Sequence, residues 1–247
     1  MDEPRARVAE LAGLLEQELG ADLLGLYLFG SLAAGGFVAG RSDIDLLAVV
    51  ARDVDAERLA ALQRLHAEYV ARHPEWTERV EVGYVGRAVL RTLAGTPEGT
   101  IAVISPGEPL NIKPIEWDWV LNWHGVRTRG EVVRGPLPRD LGPEISPAAF
   151  RRAVKEQLDA WPGYARQPSV AYVPAQQGYI VLTICRALHA LETGEQTTKE
   201  GAAAWAADRF PDRADFIREA LAAHRADYGA VHARVIEFVA FATGEAS

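Results

Sequence analysis

The sequence predicts an α+β protein, an N-terminal α/β unit with a mixed sheet followed by an all-α helical bundle. Three observations carry this. Apolar runs of strand length alternate with amphipathic stretches over roughly the first hundred residues, a proline- and glycine-rich segment interrupts the chain at about 135–147, and apolar residues beyond it recur every three or four positions. The chain of 247 residues, 49% hydrophobic, is long enough to bury the two cores this requires.

The elements follow in order. Residues 4–19 place Val8, Leu11, Leu14, Leu15 and Leu19 on one helical face, and Gly20-Ala21-Asp22 turns the chain. Strands are expected at about 23–29 and 43–50, a helix at 54–72 carrying Leu59, Leu62, Leu65 and Tyr69, and strands at 79–85 and 100–104. GPLPRDLGPEISP, with four prolines and two glycines, continues neither kind of element and reads as a linker, which sets expected domains of 1–137 and 146–247. Helices are expected at 147–161, 174–193, 197–209, 213–225 and 228–243, punctuated by Gly194, Pro211 and Gly229.

Composition narrows the functional classes. With 26 basic and 34 acidic residues the formal charge is −8, which argues against extended contact with nucleic-acid phosphates and leaves room only for a local basic pocket. The single cysteine, Cys185, can build neither a disulfide framework nor a cysteine metal site. No stretch approaches the roughly 18 uncharged apolar residues of a membrane span. A soluble, cytoplasmic protein is therefore expected, without membrane or nucleic-acid partners and monomeric.

The most informative stretch is LYLFGSLAAGGFVAGRSDIDLLAVV, residues 26–50. A strand points alternate side chains to opposite faces, so Asp43 and Asp45 project together while Ile44 and Leu46 face the core. Two carboxylates sharing one space repel unless a cation lies between them, and an oxygen-only set of this kind suits Mg²⁺, which also takes phosphate oxygens. Gly30 lets the backbone approach a phosphate, Ser31 adds an amide and a hydroxyl, and Ser42, just before the first aspartate, can donate to a triphosphate. The pattern points to a nucleotide. Transfer of a nucleotidyl group further needs a group to take the proton from the attacking hydroxyl. Glu81, set between Val80 and Val82 where a strand would otherwise bury a valine, is the candidate general base and the third member of a metal set with Asp43 and Asp45.

LFGSLAAGGFVAGRSDIDLLAVV resembles the signature of the nucleotidyltransferase superfamily, and specifically of the adenylyltransferases that inactivate streptomycin and spectinomycin. IVLTICRALHALETGEQTTKEGAAAWA (180–206) is similar to that family's V-L-T-x-x-R helix, T-G turn and K-x-x-A-A-x-W-A helix, and IEFVAFATGE resembles its C-terminus. The resemblance implies transfer of AMP from ATP, with Mg²⁺, to a hydroxyl of a small-molecule acceptor, an aminoglycoside or aminocyclitol antibiotic. It implies that Glu81 is the base and that Arg186 and Lys199 meet the triphosphate. The chain departs from the family where the acceptor is chosen. The segment YVPAQQGY (172–179) has no carboxylate, and Tyr172 and Gln176 stand where the family has acids; SPGEPLNI (105–112) lacks an expected tryptophan but offers Glu108. EWDWVLNW (116–123) supplies Glu116, Asp118 and tryptophans suited to a polycation, with Trp119 and Trp123 on one helical face, an arrangement that equally serves packing. The alternatives are an adenylyltransferase that modifies a protein, and a nucleotide-binding regulator without turnover.

Overall fold

The computed structural model describes residues 3–167, 174–226 and 232–246, and the chain divides into two compact units, Met1–Ser146 and Pro147–Ser247. The first unit begins with a helix, Glu3–Leu19 (α1), then Leu23–Phe29 (β1), a single helical turn Gly30–Ala33 (α2), Ile44–Val50 (β2), Ala56–Arg72 (α3) and Val80–Gly86 (β3). It continues with Arg87–Thr92 (α4), Thr100–Ser105 (β4), Glu108–Pro114 (β5), Trp117–Arg129 (α5), Glu131–Arg134 (β6) and Pro138–Leu141 (α6). The six strands form one sheet in the order β5-β4-β3-β2-β1-β6. The sheet is mixed, as the sequence predicts: β2 and β3 run parallel, joined through α3, and every other neighbouring pair is antiparallel.

Strand period decides which residues go where. Leu26, Leu28, Ile44, Leu46, Ala48, Val82 and Tyr84 share a core with Leu11 and Leu15 of α1 and Leu62 and Tyr69 of α3. Each such aliphatic or aromatic side chain removed from water stabilises the fold by about 1.5–3 kcal/mol, which makes this face the main support of the unit. The opposite face is covered by α5. There the Tyr27 ring meets Trp123 edge-on, with centroids 6.1 Å apart, and Trp119 packs onto Gly83.

The segment 135–147 does not hang as a free linker. The Tyr27 hydroxyl donates to the Pro136 carbonyl (3.0 Å), Trp123 Nε1 to the Pro143 carbonyl (2.8 Å) and the Arg127 guanidinium to the Gly142 carbonyl (3.1 Å), which binds the segment to the first unit. Its proline-rich sequence still permits the short helix α6, with Pro138 at the first position, where the missing N–H costs nothing.

The second unit is helical throughout its described residues: Pro147–Ala165 (α7), Pro174–Thr193 (α8), Lys199–Arg209 (α9), Ala214–Ala226 (α10) and His232–Glu245 (α11). Thr198 caps α9 by accepting from the Gly201 N–H, and Ala202, Ala203, Ala206 and Ala207 are buried along that helix. No helix among the described residues is long and apolar enough to cross a membrane.

Candidate active site

The acids predicted from the sequence meet where β1 ends and β2 and β3 begin. In the parallel pair Asp45 stands opposite Glu81, and in the antiparallel pair on its other side Asp45 stands opposite Phe29, the last residue of β1. The backbone bond from the Ile44 N–H to the Arg79 carbonyl (3.0 Å) carries the β2–β3 pairing to the start of both strands. Asp43 lies two positions ahead of Asp45, so both project from the same side of the chain.

Gly30 follows directly. Its φ of +64° is a conformation that L side chains rarely adopt, and a Cβ there would collide with the Asp45 carboxylate. The glycine thus makes room for the acid in addition to freeing the turn. Ser31 lies in α2, and its carbonyl accepts from the Gly36 N–H at 2.9 Å, closing the start of the loop that leads to the aspartates. Ser42 ties the other end: its Oγ accepts from the Val38 N–H at 2.9 Å, while its carbonyl accepts from Arg79 Nη2 at 2.7 Å. The hydroxyl proton of Ser42 stays available for donation.

The electrostatics of this corner are those of concentrated negative charge. Burial, and then the charges of Asp45, Asp118 and Asp43, push the Glu81 carboxyl up to about 8, with Lys113 opposing. Burial likewise pushes Asp118 up to about 6, against the bond its Oδ1 accepts from the Trp119 N–H at 2.9 Å. Lys113 weighs on both acids, yet its ammonium is bonded to Glu108 at 2.9 Å. Carboxyl groups displaced in this way cluster where a site must supply acid–base chemistry or receive a cation.

The donor set fits a hard divalent cation, since all of its atoms are carboxylate oxygens. As a preformed three-residue metal cage, however, Asp43, Asp45 and Glu81 are not assembled: among the described residues no group of three or more His, Cys, Asp or Glu is placed to hold an ion. Two aspartates would leave coordination positions for phosphate oxygens and water, and Glu81 stands directly across the sheet from Asp45.

Other predicted residues fall elsewhere. Glu108 opens β5, two strands beyond β3 in the sheet, and its carboxylate is engaged by Lys113, Asn111 (2.9 Å) and Ser105 (3.4 Å), which holds it below the usual carboxylate range. Trp119 is 3% exposed, its ring against Gly83 and enclosed by packing, so it offers no face on which an acceptor could stack. Arg186 lies in α8 among buried Ile184, Cys185 and Ala187. Lys199 opens α9 with its ammonium 5.0 Å above the Tyr179 ring, a cation–π contact. Gln176 lies in α8, and its Oε1 is buried without a hydrogen-bond partner; Tyr172 lies outside the described residues. The sequence does not single out Gly83, on which the Trp119 ring rests, because only the register shows what its absent side chain admits.

Comparison with known proteins agrees with this architecture. Residues 8–94 match the nucleotidyltransferase domain family, and residues 140–243 match the aminoglycoside adenylyltransferase C-terminal domain family. Two curated relatives, each named aminoglycoside (3'') (9) adenylyltransferase, from Shigella flexneri and Escherichia coli, are 26% identical over 223 residues, covering 85% of this chain and 80% of theirs. The crystal structure of spectinomycin adenyltransferase AAD(9) from Enterococcus faecialis with ATP and spectinomycin shares the fold, with a TM-score of 0.77, 16% identity and 98% of both chains covered. The chain thus joins a domain of the nucleotidyltransferase domain family to a domain of the aminoglycoside adenylyltransferase C-terminal domain family, and is similar over most of its length to the aminoglycoside adenylyltransferases.

Proposed function

We propose that this protein transfers AMP from ATP, in the presence of Mg²⁺, to a hydroxyl of an aminoglycoside or aminocyclitol antibiotic, releasing pyrophosphate. The observation that carries the reading is the pairing of Asp45 with Glu81 on one face of the sheet, with Gly30 kept bare beneath the aspartate, in a chain similar to the aminoglycoside adenylyltransferases. The names of its relatives, and the ATP and spectinomycin in the related crystal structure, support the choice of donor and acceptor.

Asp43 and Asp45 would hold the metal ion, which when bound offsets the charge of the triphosphate and of the acids around Glu81. Amide and hydroxyl groups of Gly30, Ser31 and Ser42 meet phosphate oxygens, and Arg186 and Lys199 are assigned to the same oxygens on the correspondence of their motif. Glu81 accepts the proton of the acceptor hydroxyl. The oxygen so freed attacks the α-phosphorus, a new P–O bond forms, and the bond to the β-phosphate oxygen breaks in line with it. Burial raises the Glu81 carboxyl and so strengthens it as a base toward the acceptor hydroxyl, while a bound metal would offset the neighbouring charges and favour its ionised form.

The test is release of pyrophosphate from ATP and Mg²⁺ against streptomycin, spectinomycin, kanamycin and hygromycin. Stimulated release by at least one of them, with a product heavier by one AMP, is the expected result. Release by none would overturn the proposal.

A further inference from the structure

Asp118 is an acid of the site face that neither the metal nor the base role uses. Its position is fixed from two directions. Gly83 follows Glu81 by two residues and points to the same side of β3, and the Trp119 ring rests on it, which seats the first turn of α5 on the face that bears Glu81. Asp118 immediately precedes that anchored tryptophan and takes its N–H with Oδ1. An acid in the first turn of a helix is usually explained by the helix dipole, which holds a carboxyl low. Here burial outweighs the helix end and the carboxyl is displaced upward, so the placement is costly to the chain rather than a stabilising ornament of the helix.

Neighbouring acids are no substitutes. Glu116, the residue before α5, is exposed, and Glu108 is engaged by Lys113. The described part of the segment at 174–179 contains no carboxylate at all. Among the described residues no salt bridge neutralises Asp118; the cation that weighs on it, Lys113, is bonded elsewhere. A half-buried carboxylate that remains uncompensated beside the proton-accepting group is matched by a cationic group arriving with the acceptor.

We propose that Asp118 determines acceptor specificity by binding an ammonium group of the antibiotic, with Trp119 and Gly83 holding it beside Glu81. This rests on the proposed transfer reaction. The substrate class it selects is a polyhydroxylated ring bearing a protonated amine near the hydroxyl that attacks.

Asp118→Asn is the test, because the amide keeps an oxygen for the Trp119 N–H and removes only the charge. Steady-state kinetics would be measured with each of the four antibiotics that is turned over, and with the same compound acetylated at its amines so that those nitrogens carry no charge. The unaltered protein should prefer the amine forms, and Asp118→Asn should raise KM for the amine by about tenfold or more and erase that preference, with KM for ATP changed less than about twofold. A preference that persists in Asp118→Asn, or is absent from the unaltered protein, overturns the assignment. So does a parallel rise in both KM values with a lowered melting temperature, the mark of a merely structural role. Failure of the unaltered protein to turn over any of the four antibiotics would instead overturn the proposed reaction, and this assignment with it.

Discussion

On one face of β2 and β3, Ile44, Leu46, Val82 and Tyr84 are buried against α1 and α3; on the other, offset by a single residue, stand Asp45 and Glu81. Both faces come from the same two seven-residue segments. The first is redundant: many apolar contacts share the stability, and no single one defines the chemistry. The second is sparse, and gathers acids whose proximity, together with burial, pushes the Glu81 carboxyl up to about 8. The difference teaches that alternation along a strand can separate what holds a protein together from what makes it reactive over the width of one peptide.

Substitutions can break this separation. The largest effect is expected from Asp45→Asn, which should lower turnover by about a thousandfold or more, since charge stabilisation by a metal is worth several kcal/mol. Melting should be unchanged or raised, as repulsion with Glu81 is relieved; a folded Asp45→Asn protein that retains turnover would refute the site. On the apolar face, Leu46→Ala should cost about 2–5 kcal/mol in denaturant unfolding and leave turnover per folded molecule within about twofold. A specific loss of turnover in that variant would show that the two faces are not separate.

The next effect is a pH dependence. Glu81 is raised from 4.5 to about 8, so between those values the folded, metal-free chain keeps a proton that the unfolded chain has released. Its stability should therefore fall as pH rises through that window, by a few kcal/mol at most, and Asp118, raised from 3.8 to about 6, adds to the fall at the acidic end. Glu81→Gln should flatten the slope in chemical denaturation from pH 5 to 9. An unchanged slope would mean that Glu81 is not the strained group. The smallest effect is that of Gly83→Ala, whose Cβ would collide with Trp119 and should cost about 1–3 kcal/mol with a rise in acceptor KM.

Much of this was legible in the sequence where local chemistry is one-sided. β1 and β2 show as apolar runs, and Asp43, Asp45 and Glu81 stand out because charges interrupt strands that otherwise bury valine and leucine. The edge strands did not show. β5 carries two prolines and alternates imperfectly, and β6 has four residues, so neither presents a period long enough to recognise. The segment 135–147 reads as a linker because prolines prevent regular structure, yet its carbonyls find donors on Tyr27, Trp123 and Arg127, which no local pattern reveals. Trp119 is ambiguous for a similar reason: a helical face of tryptophans suits packing or recognition, and only the bare backbone of Gly83 decides for packing.

The central claim is that the charge on this face is completed by a cation carrying a nucleotide. Calorimetric titration of the protein with a non-hydrolysable ATP analogue, with Mg²⁺ and with EDTA, tests it most directly. Saturable binding that requires Mg²⁺ and is lost in folded Asp45→Asn is the predicted result; equal binding in EDTA, or by Asp45→Asn, would contradict it.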